Sequence, residues 1–422
     1  MSVSDDFCDK GIPYYRGQDT NHIFIENASP VYISDSYYNQ ENMKRSHLRK
    51  NDILLSIVGT IGNTSFVYSN KKATCSCKLA IIRYKNNRVS PFLVNAFLKS
   101  KYGQSQIQKY KRGTVQTGFL LEDMEQIIVP KFGDYFSHKY NDLMELLHGL
   151  IQKSNQTYRQ AETLLLSSLH LDNFTPSTEN TSIKNFSDVT ASGRLDAEFY
   201  QRKYDEIEEK LSIFPQVKIR ELINYPVCSG STPKAGNPDF YTDKASGIPF
   251  VRAVDLIQSR VDTNNFIYIK SIVHEKLLKR TKLEKNDVLF SIAGTVGRCA
   301  IFDYDFEANI NQAIAILRFT EENIKRLYLV QFFNAPIGKL LVGKYSRQGL
   351  QTNLNLDEVS ELSIPIIQYD IQEKITNLVT KSFALREQSK TLLKAATKAV
   401  EMAIEEGEEA AMEFLGKING IV

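Results

Sequence analysis

The feature that most constrains this chain is internal: Asn51 to Gly62, NDILLSIVGTIG, returns as Asn286 to Gly297, NDVLFSIAGTVG. The interval from Gly59 to Gly294 is 235 residues. The same interval carries Ala80-Ile81 onto Ala315-Ile316, Arg112 onto Arg347, Gln116-Thr117 onto Gln351-Thr352 and Pro130 onto Pro365. A register held from Asn51 to Pro130 means one unit present twice, and a period this long describes tandem domains rather than a solenoid. Upstream, Gly11-Ile-Pro-Tyr-Tyr-Arg16 matches Gly247-Ile-Pro-Phe-Val-Arg252 one residue out of register. The second copy is preceded by Val217-Lys-Ile-Arg-Glu-Leu222 and Ser229-Gly-Ser-Thr-Pro233, where the first has only ten residues, so the first repeat is expected to start late.

A chain of 422 residues, 42% hydrophobic and 24% charged, has length for about two to four domains with full cores. It has no apolar run of about 18 residues. The start, MSVSDDFCDKG, lacks the basic-then-apolar pattern of a secretory signal, so a cytoplasmic location without a membrane partner is expected. Five cysteines, an odd number, give no disulfide framework, and Cys75-Ser-Cys77 has no second pair at zinc-ligand spacing. The net charge of +3 becomes informative when it is divided along the repeat. Residues 1–135 carry 18 Lys and Arg against 12 Asp and Glu, and residues 217–366 carry 19 against 16. The stretches 136–216 and 367–422 carry 8 against 12 and 7 against 9. Basic repeats between acidic spacers fit a polyanion for the repeats and a protein partner for the spacers; a merely solvated surface gives the same pattern.

Within the repeat, Asn51-Asp52 followed by Ile-Leu-Leu-Ser-Ile predicts a turn into a short buried strand. Gly59 to Gly62 predicts a tight turn, and Ser65 to Tyr68 the second strand of a hairpin. A Walker loop is excluded, because it needs Gly-Lys-Ser/Thr before a helix and this turn opens into Asn63-Thr-Ser-Phe. Leu79 to Tyr84 reads as another apolar strand. Ser90-Pro91 supplies an N-cap and a first-turn proline for a helix predicted from Pro91 to Lys109, with a counterpart from Glu322 to Lys344. Both end in a basic, polar loop, Lys109 to Thr117 and Lys344 to Thr352. Arginine and glutamine make paired hydrogen bonds to purine edges and lysine neutralises phosphate, so the loop is a candidate nucleic-acid contact, with a solvated basic loop as the competing reading.

Past Pro130 and Pro365 the period changes. Leu143, Leu147, Leu150, Ser154, Thr157, Ala161, Leu164, Ser168 and Leu171 alternate steps of four and three. Ile371, Ile375, Leu378, Ser382, Leu385, Ser389, Leu392, Ala396, Ala399 and Ala403 do the same. These are heptad seams of two long helices, expected to pack on each other antiparallel; an amphipathic face on the parent domain is the alternative. Between them, Asn173 to Asp188 reads as a linker into Arg194-Leu-Asp-Ala-Glu-Phe-Tyr200 and a short helix with Tyr200, Tyr204, Ile207 and Leu211 on one face. An acidic helical tail, Glu401 to Glu413, ends the chain. The expected fold is α/β of the α+β kind, with two tandem domains each followed by a long helix, the helices pairing as a spacer. Its divisions are 1–135, N-terminally short; 136–172, a central helix; 173–216, linker and short helix; 217–366, the second domain; and 367–422, the last helix and tail.

The joint pattern resembles the specificity subunit of Type I restriction-modification systems. It consists of tandem N-D-[IV]-L-x-S-I-x-G-T-[IV]-G, a basic loop leading to I-[IV]-P or I-P, heptad helices after each copy and R-L-D-A-E-F-Y before the second. The resemblance implies that each repeat is a target-recognition domain reading one half of a split, asymmetric double-stranded DNA site. It further implies that the helices form a coiled-coil spacer docking two methyltransferase subunits, joined in some complexes by restriction and translocase subunits. No catalysis and no cofactor are then expected on this chain, S-adenosylmethionine and ATP being bound by the partners. DNA contact is assigned to Lys111, Arg112, Gln116 and Thr117 in the first copy and to Arg347, Gln348, Gln351 and Thr352 in the second. Asp52, Ser56, Gly59, Thr60, Gly62 and their copies are read as defining the fold.

The residues offer little to an enzyme. The six histidines form no H-x-x-x-H pair, and there is no G-x-S-x-G elbow, glycine-rich cofactor loop or N/D-P-P-Y/F box of an amino-methyltransferase. Two other readings stand beside the resemblance: a coiled-coil scaffold whose paired domains bind protein, and a truncated specificity subunit without function.

Overall fold

The structure, a computed structural model, describes residues 6–84, 89–113, 118–179, 181–319, 324–347 and 352–419. Its contacts divide the chain into two compact units, Met1–Ser154 with Phe383–Val422, and Asn155–Ser382. Each unit holds one repeat and a part of both long helices.

The first unit opens with β1 (Phe7–Cys8), β2 (Ile12–Tyr15), β3 (Val31–Ile33) and the short helix α1 (Asp35–Tyr38). The repeated motif follows as β4 (Ile53–Ser56) and β5 (Thr64–Phe66), then β6 (Thr74–Cys75) and β7 (Leu79–Ile82). They form two sheets, ordered β1-β3-β2-β6 and β5-β4-β7. The expected hairpin is present, with Ile53 opposite Phe66. Its second strand ends before Tyr68, because the N–H groups of Tyr68 and Ser69 turn to the Glu26 carboxylate at 2.9 and 2.7 Å.

The first recurring helix is in fact two, α2 (Pro91–Lys99) and α3 (Lys101–Tyr110), followed by α4 (Leu121–Met124). Ser100, at φ −66° and ψ 163°, ends one helix and caps the next: its N–H bonds the carbonyls of Ala96 and Phe97, and its Oγ accepts from the Gly103 N–H. The second helix then starts against the end of the first, so closely that a Cβ on Gly103 would lie 2.2 Å from the Phe97 oxygen. The long helix α5 spans Asp134–Ser168.

The second unit adds α6 (Phe186–Ser192), α7 (Arg202–Leu211), β8 (Gln216–Lys218), α8 (Ile219–Leu222), β9 (Cys228–Ser229) and β10 (Tyr241–Thr242). The copied frame is β11 (Ile248–Val251), β12 (Leu256–Ile257), β13 (Ser259–Val261), β14 (Ile267–Ile269), β15 (Asp287–Ser291), β16 (Cys299–Phe302), β17 (Asn309–Ile310) and β18 (Ile314–Leu317). Its sheets run β10-β14-β11-β17 and β12-β13-β16-β15-β18-β9. The helix expected from Glu322 is again two, α9 (Arg326–Asn334) and α10 (Pro336–Tyr345). Here Pro336 makes the break, since proline pushes the preceding residue out of the helical region, and Ala335 sits at ψ 156°. Gly338 repeats the close approach of Gly103, with a Cβ 2.1 Å from the Phe332 oxygen. Then come α11 (Leu356–Glu361), β19 (Ser363–Pro365) paired with β8, and the long helix α12 (Tyr369–Glu405). After Gly407, at φ 98°, the tail forms α13 (Glu408–Asn419), which returns to the first unit.

The helices pair antiparallel. In the first unit Phe136, Tyr140, Leu143 and Leu147 of α5 share a core with Leu392, Ala396, Ala399 and Val400 of α12 and with Ala411 and Leu415 of α13. The tail is thus a core element rather than a solvated extension. The seams depart from a strict heptad in the second unit: Leu165, Leu169, Gln372 and Val379 are buried where Leu164, Ser168, Ile371 and Leu378 were expected. A straight helix of 3.6 residues per turn drifts against a 3.5-residue repeat, and a seam that also covers a sheet domain follows the straight helix. Leu171 lies beyond α5, after His170 in the left-handed region, where its N–H bonds the Leu166 carbonyl at 2.9 Å.

The glycine contacts give a sharp expectation. Gly338→Ala should lower the unfolding free energy by about 1–3 kcal/mol, since a methyl there meets fixed backbone. Gly149→Ala, on an open face of α5, should raise it by up to about 1 kcal/mol. Urea unfolding of both variants checks the pair; equal effects would contradict the close helix approach.

Candidate nucleic-acid interface

Each candidate site grows from the strand β4 or β15. Asn51 and Asn286, at φ 71° and 74°, turn the chain into it. The next residues, Asp52 and Asp287, are buried and gripped by an arginine from the neighbouring strand's end. Arg83 reaches Asp52 at 2.7 and 2.6 Å, and Arg318 reaches Asp287 at 2.9 and 3.2 Å. The same guanidinium groups donate to the carbonyls of His47 and Lys282 at 2.8 and 2.6 Å. A fork-shaped donor on a carboxylate fixes direction as well as distance, so the strand leaves this lock on a set course in both copies.

At the far end of the strand Gly59 and Gly62, at φ 79° and 93°, make the turn, and Gly294 and Gly297 repeat it at 75° and 86°. The Gly62 N–H closes it on the Ser56 carbonyl at 3.0 Å, and Gly297 closes on Ser291 at 2.9 Å. Inside the turn the Ser56 and Thr60 hydroxyls lie 2.9 Å apart. Gly59, Thr60, Gly294 and Thr295 at the tip are exposed.

The basic loop is stitched to this turn. Arg112 and Gly118 exchange both backbone hydrogen bonds, at 3.0 and 2.9 Å, and the Phe119 N–H bonds the Ile57 carbonyl at 2.9 Å. In the second copy Arg347 and Asn353 exchange theirs at 2.8 and 3.2 Å. The Leu354 N–H bonds the Ile292 carbonyl, and Gly294 donates to the Thr352 carbonyl at 3.2 Å. Loop and turn therefore emerge side by side at one end of the sheet, a proximity that no local pattern of residues encodes.

Of the residues assigned to DNA contact, Lys111 and Arg112 are exposed, Arg347 has a side chain 63% exposed, and Thr352 is half-buried. Gln116 and Thr117, and Gln348 and Gln351, lie outside the described residues. Both arginines have an acidic partner: Arg112 donates to Asp123 at 2.6 Å and Arg347 to Glu358 at 3.3 Å. The 235-residue interval carries Asp123 onto Glu358, so the pairing of each arginine with an acid has a signal in the sequence. In the second unit Glu358 also accepts from Arg194, at 3.2 Å, and from the Asn355 N–H, at 2.8 Å. Arg194 opens the R-L-D-A-E-F-Y stretch. It grips Asp196 with two bonds, holding that carboxyl below its usual range, donates to the Tyr345 carbonyl and lies over the Phe199 ring. This stretch therefore braces the base of the second loop.

Among the described residues, His274, Glu275 and Glu307 place ligand-type atoms within 4.8 Å of one another. The tautomer speaks against metal ligation. The Asn309 oxygen accepts from Thr281 and from the Ile310 N–H, which turns the Asn309 amide NH2 toward His274 Nδ1 at 3.2 Å. Nδ1 must accept, so the proton of the neutral ring sits on Nε2, the atom facing the carboxylates. No helix among the described residues is long and apolar enough to cross a membrane.

Two copies of one mixed module thus each present a braced basic loop beside a glycine turn. Residues 214–395 match the family model of the Type I restriction modification DNA specificity domain. The chain is 26% identical over 204 residues to the Type I restriction enzyme EcoBI specificity subunit of Escherichia coli; the match covers 46% of this chain and 42% of that relative, less than half its length. By fold it is similar to the S subunit of a Type I restriction-modification system from M. genitalium, with TM-score 0.44, 12% identity and coverage of 95% and 90% of the two chains. The HsdS subunit from Thermoanaerobacter tengcongensis follows at TM-score 0.31, 15% identity and coverage of 96% and 90%. Over residues 214–395 the chain is thus similar to the Type I restriction-modification specificity family.

The bracing separates two kinds of arginine. Arg194→Met should cost about 3 kcal/mol, because Arg194 and Glu358 are only 13% and 16% exposed and the carboxylate would lose a buried partner. Arg347→Met, where the guanidinium is exposed and Glu358 keeps Arg194, should cost less than about 1 kcal/mol. Denaturant unfolding measures both, and equal losses would make Arg347 a structural residue.

Proposed function

We propose that this chain is the DNA sequence-specificity subunit of a Type I restriction-modification complex. Each repeat reads one half of a bipartite, asymmetric duplex site, and the long helices dock two methyltransferase subunits. The observation that carries this reading is the recurrence, in one register, of a basic loop fastened to a glycine turn. The loops themselves differ, Lys-Arg-Gly-Thr-Val-Gln-Thr against Ser-Arg-Gln-Gly-Leu-Gln-Thr. One frame with two different readers is what an asymmetric, split site requires. Lys111, Arg112, Gln116, Thr117, Arg347, Gln348, Gln351 and Thr352 are the proposed contacts; the pairing of Arg112 and Arg347 with acids presents each guanidinium in one direction rather than leaving it to sweep. The chain is read as non-catalytic and cytoplasmic, with S-adenosylmethionine and ATP on partner subunits, the methyltransferase subunits being joined in some complexes by restriction and translocase subunits.

Co-expression with a methyltransferase subunit, followed by mapping of methylated adenines, tests the reading. Methylation at one bipartite sequence is expected, together with duplex binding that weakens steeply with salt. Partner binding without either result would favour the scaffold reading, and a complex that binds but never methylates would favour a non-functional subunit. Arg347→Ala should weaken duplex binding by about 1–3 kcal/mol and relax sequence preference in one half-site only. Unchanged affinity and an unchanged methylation map would return the loop to plain solvated surface.

A further inference from the structure

The two modules differ beneath the helix that packs on the strand following the glycine turn, α2 on β5 in the first and α9 on β16 in the second. Phe92 of α2 lies on Phe66 of β5, ring centroids 4.3 Å apart. Asn95 and Lys99 follow Phe92 by three and seven residues, so the three share one face of α2. Thr64, two residues before Phe66, shares its side of the strand. The 235-residue interval carries Thr64, Asn95 and Lys99 onto Cys299, Val330 and Asn334. In the second unit Asn334 accepts from the Cys299 N–H at 3.0 Å and donates to the Cys299 carbonyl at 2.6 Å, which sets the end of the helix over that residue. By the same register Lys99 stands over Thr64.

These places are filled very differently in the two units. In the second, Cys299 and Val330 are buried apolar side chains, and the Asn334 amide is used up on Cys299 and on Ser259, at 3.0 Å. In the first, Thr64 and Asn95 are fully buried, yet the Thr64 hydroxyl and both ends of the Asn95 amide have no hydrogen-bond partner in the protein. Lys99 is half-buried, and burial with no neighbouring charge pushes its pKa down to about 8. A long side chain on a helix is directed back over the preceding turn, so the Lys99 chain runs toward Asn95. Buried hydroxyl and amide groups are costly to leave unpaired, and the second unit shows that the fold itself needs neither.

A hydroxyl, an amide NH2 and an ammonium group, with no acid among them, make a donor set for an anion. We propose that Thr64, Asn95 and Lys99 form a binding site for a small monovalent oxyanion, of the size of formate or bicarbonate, held between β5 and α2. The Thr64 hydroxyl and the Asn95 NH2 donate to its oxygens. The Lys99 ammonium supplies the opposite charge, and a further hydrogen of it serves the Asn95 carbonyl oxygen. One cation balances one negative charge, and the burial of Thr64 and Asn95 admits a small ion while keeping out a polymer backbone.

Competitive acetylation of the full chain with acetic anhydride, at a pH near the Lys99 midpoint and read by peptide mass spectrometry, tests this. The probe is sodium formate, compared with sodium chloride at equal ionic strength. Only the neutral amine is acylated, and an anion beside Lys99 keeps it protonated, so formate should slow its labelling saturably and by at least about fivefold. Exposed Lys71 should keep its rate. Asn95→Val and Thr64→Cys, which install the residues of the second unit, should each abolish the difference; folding of both is checked by circular dichroism, and either one suffices. A Lys99 rate that formate leaves unchanged in the native chain would mean that water alone fills the site and would overturn the proposal. Equal slowing in a folded variant would overturn it too, since the effect would then not depend on these donors.

Discussion

Burial of two long helical stripes is the constraint on which the rest of the structure depends. α5 and α12, of 35 and 37 residues, each run roughly 50 Å, further than one domain of this size needs. A helix with one apolar stripe must cover it over its whole length, so each serves both units in turn. The first unit is consequently assembled from distant chain: Phe132, Phe136, Leu143 and Leu147 share one core with Leu392, Ala396 and Ala399 of α12 and with Ala411 and Leu415 of α13. The small residues of the α12 stripe let the backbones approach.

On that base sits a frame whose parts are local and repeated. A left-handed asparagine, a buried aspartate locked by an arginine, a strand and a glycine turn set where the basic loop leaves the sheet. Backbone bonds fasten the loop ends in both copies, so its sequence is free to vary without moving its base. Buried and exposed charge are thereby separated within the frame: Asp52 and Asp287 hold the strand, while Lys111, Arg112 and Arg347 at the loop bases are exposed.

The copies also show how the same frame is completed differently. The Gln106 amide bonds the Ile128 backbone where β8 pairs with β19 in the second unit, and a methyl-sized space is denied at Gly103 and Gly338 by the same helix contact. R-L-D-A-E-F-Y serves the second loop alone among these features, through Arg194 and Glu358.

Much was determined by the sequence itself. The duplication, the hairpin, the basic loops and the existence of two long helices follow from period, turn residues and charge, which act over a few positions or recur at one interval. The α+β class follows from them. Other features belong to the tertiary structure alone. The break at Ser100 depends on a helix end packing against its neighbour, and the one-residue drift of the seams depends on what each stripe covers. The carboxylates that Arg112, Arg347 and Arg194 meet at the loop bases, Asp123 and Glu358, are 11 to 164 residues away along the chain. Ion pairs and core contacts form between whatever surfaces folding brings together, and no local pattern encodes that meeting; only the packed chain decides which charges are braced and which remain free to bind.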